Sequence, residues 1–122
     1  MRWVANMGAM SNDPALNRVV RSDPCGGGNS VAIRFLRTYL SSAPAVEPEE
    51  FTACPVLMLH PVADRWTPLG LSLPFFERIA APKRLVMLRD AGHMPVEQPA
   101  LAGMARAFAQ FVHELAPPPH QS

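Results

Sequence analysis

The apolar positions of the chain fall into two short unbroken runs and three helical stripes. The runs are Val56-Leu57-Met58-Leu59, ending at His60, and Leu85-Val86-Met87-Leu88. Neither alternates with polar residues, which predicts interior strands of a parallel sheet covered by helices on both faces. Between them Leu71, Phe75, Phe76 and Ile79 recur at helical spacing, so the unit reads as a strand, a crossover helix and a second parallel strand. After the second run, Leu101, Met104, Ala105, Phe108, Phe111, Val112 and Leu115 form one stripe, with Pro99 suited to the first helical position. The N-terminal part is patterned more weakly. Asn12-Asp13-Pro14 opens a short helix at Ala15-Leu16 that runs through Val19-Val20, and Ser22 to Asn29 is a loop by composition. Ser30 is placed to cap a helix whose apolar face is Val31, Phe35, Leu36, Tyr39 and Leu40.

The fold class that follows is α/β. In open parallel sheets, chemistry gathers outside the carboxyl ends of the strands. Asp64 lies just past the first run and His93 just past the second, so both fall at the same end of strands expected to be neighbours. A carboxylate there can orient an imidazole, which in turn accepts and returns a proton near neutral pH. Bland roles compete. An Asp before Thr67-Pro68 and a helix also suits a turn or cap, and a single loop His is usually structural.

The residues C-P-V-L-M-L-H-P-V-A-D-R-W-T-P, followed by A-G-H-M-P-V-E-Q-P at the start of the last helix, resemble the end of an α/β-hydrolase over roughly residues 51–115. The resemblance extends to members of the lysophospholipase and serine-aminopeptidase type. The resemblance implies a C-terminal part of an α/β-hydrolase fold, with parallel strands, crossover and terminal helices preceded by a helical cap segment. Residues 1–50 would be the cap-like segment and connector, 51–116 the βαβα part of the core, and 117–122 a disordered tail. It also implies a nucleophile-His-Asp triad of which Asp64 is the acid and His93 the base. The substrate would be a small-molecule ester or amide, with no cofactor.

The nucleophile elbow G-x-S-x-G does not occur in the sequence. The alternative to an enzyme is therefore a truncated, non-catalytic hydrolase remnant, or a fragment from a mis-assigned start. Cys25 lacks the G-x-C-x-G setting of a nucleophile, and Ser30 and Ser72 sit where helices start. Gly26-Gly27-Gly28 follows no strand and precedes no Lys-Ser/Thr pair, so it reads as a turn and not as a phosphate loop. The same lack of a G-x-G-x-x-G after a strand argues against a Rossmann-like nucleotide binder.

Trp66 suits either the mouth of the site or packing. Glu97 suits the positive end of the last helix, and Glu47, Glu49 and Glu50 an acidic solvated turn. His60 reads as structural or as lining the base of a pocket. The four His and two Cys show no metal-ligand spacing.

Charge and length narrow the partners. A net charge of +1 with mixed signs gives no electrostatic case for nucleic acid. No apolar stretch approaches the roughly 18 residues of a membrane span, and Met1 to Asn6 are too short and interrupted for a signal peptide. Cys25 and Cys54 read as free thiols, Cys54 packed at the start of its strand, and a cytoplasmic location is expected. The first strand reads as a central one with no partner strand before it, so its open edge is expected to promote self-association.

Overall fold

The computed structural model describes residues 7–26 and 32–116. Its centre is a two-stranded parallel sheet of β1 (Val56–Pro61) and β2 (Lys83–Leu88). The register pairs Val56 with Lys83 and ends at Pro61 with Leu88. Helix α3 (Leu69–Arg78) is the crossover, as the spacing predicts. Helix α4 (Ala100–Leu115) follows β2 and packs on both strands. Upstream lie α1 (Pro14–Ser22) and α2 (Ile33–Leu40).

Each helix starts and stops for a local reason. The carboxylate of Asp13 accepts the Ala15 N–H at 2.7 Å, and Pro14 occupies the first helical position, where its missing N–H is no loss. Helix α1 runs two residues beyond the expected end. Ser30 and Val31, expected to open the second helix, lie outside the described residues; the residue before α2 is Ala32, with no side-chain cap. Pro99 stands just before α4 and not inside it. The acidic turn is pinned and not merely solvated. Pro48–Glu50 form a short 3-10 turn whose Glu49 pairs with Arg78 at the end of α3, with Glu47 nearby at 3.6 Å.

The well-buried core is small and lies directly beneath the carboxyl ends of the strands. Leu88, Ala91 and Ala100 are almost wholly enclosed, with Leu59 and Met104 packed against them. Residues Val56 to Leu59 are only half-buried, not covered on both faces as their composition suggests. The helical stripes are likewise exposed in large part. Phe35, Tyr39 and Leu40 on α2, Leu71 and Phe75 on α3, and Phe108, Val112 and Leu115 on α4 all face outward. Periodicity located these helices correctly, but among the described residues no second layer covers their apolar faces. Cys54 precedes β1 and is exposed, not packed; Cys25 is exposed as well, and both are free thiols.

The sheet's hydrogen bonding continues past the strands. Val62 N–H donates to the Leu88 carbonyl at 2.9 Å, and Ala63 N–H to the Ala91 carbonyl at 3.1 Å. These two bonds carry the parallel register into the loops, and so bring the segments after β1 and β2 side by side.

Candidate active site

Asp64 is the residue after that last inter-loop bond, and His93 lies two residues after its acceptor. His93 Nδ1 stands 2.9 Å from Asp64 Oδ2. The carboxylate is almost completely enclosed and the imidazole only partly so. Catalytic and turn-forming roles for Asp64 are not exclusive, because its two oxygens divide the work. Oδ1 accepts the backbone N–H groups of Trp66 and Thr67, at 2.8 and 2.9 Å, and so closes the turn into α3. Oδ2 faces His93 and also accepts the Thr67 hydroxyl at 2.8 Å.

Asp64 and Thr67 together settle the tautomer. The Thr67 Oγ1 is 2.9 Å from His93 Nδ1. A hydroxyl has one proton, and that proton is directed at Asp64 Oδ2, so toward His93 the oxygen accepts. Both neighbours of Nδ1 are then acceptors, and Nδ1 carries the hydrogen. Nε2 is left with its lone pair, the state a general base requires. Thr67 escaped the sequence reading, although an Asp followed three residues later by Thr at the start of a helix is a recognisable turn signal. Trp66 packs against the imidazole in a T-shaped arrangement, with centroids 4.6 Å apart.

Burial pushes the Asp64 carboxyl up, but the hydrogen bonds from His93, Thr67 and Trp66 outweigh it and hold its pKa at about 2, below the usual 3.8. A depressed carboxyl stabilises the fold above its unfolded pKa, and that stability is lost as pH falls through the folded value. Between pH 5 and pH 2 the wild-type chain is therefore expected to lose about 2 kcal/mol more stability than Asp64→Asn. Denaturant unfolding at the two pH values measures the difference; equal losses would show that the carboxylate is not held in this way.

The N-terminal segment reaches the site and braces it. Met94 N–H donates to the Met10 carbonyl at 2.7 Å. Ser11 is fully buried, and its hydroxyl donates to Glu97 Oε1. Glu97, just before α4, thus also serves this clamp. Asn17 of α1 holds the segment in shape. It accepts from Ser11 N–H at 2.9 Å and donates to the Gly8 and Ser11 carbonyls. Gly92 is needed for space and not for an unusual backbone angle; a Cβ there would stand 2.8 Å from the backbone nitrogen of Asn12. The left-handed residue of this loop is Asp90, at φ 56°.

The remaining candidates lie apart. His60 is buried at the end of β1, where its Nε2 has no hydrogen-bond partner among the described residues. His113 is exposed on α4, Cys25 lies beyond α1, and Ser72 lies within α3. Among the described residues, no serine or cysteine side chain is hydrogen-bonded to His93, and no group of three His, Cys, Asp or Glu could hold a metal ion.

No protein-family model and no curated protein matches the chain. A solved structure does: the crystal structure of the monoacylglycerol lipase of Paleococcus ferrophilus, with a TM-score of 0.60 and 22% identity. The fold is part of an α/β-hydrolase core. The similarity covers 91% of this chain but 44% of the lipase, so the chain spans less than half of that enzyme's length. At this identity the likeness establishes architecture. That architecture carries the His–Asp pair at the carboxyl ends of its two strands.

Proposed function

We propose that the chain supplies the acid and the base of a hydrolase acting on a small-molecule ester or amide, with Asp64 as acid and His93 as base. The observation that carries this is the 2.9 Å contact between His93 Nδ1 and Asp64 Oδ2 at the carboxyl ends of adjacent parallel strands. The likeness to a lipase favours an ester over an amide. The nucleophile is a residue other than those described; by family resemblance it is a serine.

In this scheme His93 Nε2 takes the hydroxyl proton as the oxygen attacks the carbonyl carbon. The resulting imidazolium is stabilised by Asp64, which stays ionised, and Nε2 then gives its proton to the leaving group. Water repeats the cycle on the acyl intermediate. Trp66 packs against the ring and helps to hold its orientation.

The test is hydrolysis of p-nitrophenyl esters of graded chain length by the protein expressed from its complete gene. His93→Ala is expected to reduce turnover by about 10³-fold or more. Turnover equal to wild type in that variant would overturn the assignment. So would wild-type protein that hydrolyses none of the esters.

A further inference from the structure

A cleft of about 680 Å³ opens between α1 and the loop after β1. Its size is that of a small-molecule site. Three exposed arginines line it: Arg18 and Arg21, about one helical turn apart on α1, and Arg65, the residue after Asp64. The polar side chains of Asn12, Asn17 and Ser22 complete the wall, and no Asp or Glu lines it. The neighbouring acids accept backbone N–H groups, and among the described residues neither pairs with an arginine. Asp13 accepts the Ala15 N–H, and Asp23 accepts the Cys25 N–H at 2.8 Å. Elsewhere in the chain, Arg78 and Arg84 are neutralised by Glu49 and Glu114. Among the described residues, none of the three cleft arginines has an ion-pair partner.

Three like charges around one concavity repel one another, and a bound anion relieves that repulsion. Guanidinium groups present several donors in a planar fork that matches the oxygens of a carboxylate or a phosphate. Arg65 is held in place, since one of its N–H groups reaches the Ser11 carbonyl at 3.4 Å while others remain for a ligand. Asn17 uses both its oxygen and its nitrogen to shape residues 8–11, so it builds the wall and the arginines supply the binding.

We propose that this cleft is an anion-binding site, and that Arg18, Arg21 and Arg65 hold the phosphate or carboxylate group of a small ligand there. The cleft is lined by Asn12 and Arg65, the residues that follow Ser11 and Asp64 in the chain, so it borders the segments that hold the candidate pair. Binding is read without turnover and stands apart from the hydrolase assignment.

The experiment is modification of wild-type protein by phenylglyoxal, with each arginine followed by peptide mass mapping. Sodium phosphate and sodium citrate are each compared with sodium chloride at matched ionic strength. Phosphate or citrate is expected to slow modification at Arg18, Arg21 and Arg65 while Arg37 and Arg106 react at unchanged rates, and the more protective salt identifies the group. In a titration with that salt, Arg65→Gln and the double variant Arg18→Gln/Arg21→Gln are each expected to bind about tenfold more weakly. No protection, protection equal at all five arginines, or unchanged affinity in both variants would overturn the proposal.

Discussion

Asp64→Asn is expected to lower kcat for ester hydrolysis by about 10³- to 10⁴-fold while leaving the fold intact. The reason is the way the carboxylate divides its oxygens. Oδ1 accepts two backbone N–H groups in the turn, so an amide is forced to keep its oxygen there. Its NH₂ group then occupies the place of Oδ2, facing His93 Nδ1 at about 2.9 Å. Two donors cannot face each other, so Nδ1 becomes the acceptor and the ring proton moves to Nε2. An imidazole in that state cannot take a proton from the nucleophile. Nitrogen-15 spectra of the His93 ring distinguish the tautomers directly. A variant with unchanged kcat and an unchanged ring spectrum would show that Asp64 does not set the tautomer.

Gly92→Ala is expected to cost about 1–3 kcal/mol of stability and to release the N-terminal brace from the site. The added Cβ would meet the Asn12 nitrogen at 2.8 Å and the Ser11 carbonyl carbon and Cα at 3.1 Å. All three are backbone atoms, so no side chain can turn aside. Either the loop of His93 or the segment at 11–12 has to move. The bonds that link them, Met94 to Met10 and Ser11 to Glu97, then lengthen. A lower Tm together with fast hydrogen exchange at the Met94 amide is the expected signature. A Tm within a degree of wild type, with Met94 still protected, would show that this contact does not hold the segment.

Much of the architecture was legible in local pattern. Two apolar runs around a helical stripe predict β1, α3 and β2, and period and strand length require nothing from the rest of the molecule. Asp13-Pro14 marks the start of α1 because an N-cap acts on residues two or three positions away. The positions of Asp64 and His93 just past their strands followed from the same logic, since parallel strands share a carboxyl end. Their family resemblance added the roles.

Other features depend on contacts between segments far apart in sequence, where no local pattern reports them. The Ser11–Glu97 clamp joins residues 86 positions apart, and the space that Gly92 must leave is set by the approach of residues 11–12. Which face of each helix is covered was also undetermined. A stripe states that a face is apolar, but burial depends on a neighbouring layer, and among the described residues α2 and much of α4 lack one. By itself, then, the sequence determined the βαβα order and the two residues at the strand ends, because strand periodicity, caps and parallel pairing act over short range. Only the tertiary structure decided the tautomer of His93, by placing the Asp64 carboxylate and the Thr67 hydroxyl against Nδ1. It alone also gathered Arg18, Arg21 and Arg65 into one cleft, because charges on separate elements become neighbours only when the chain has folded.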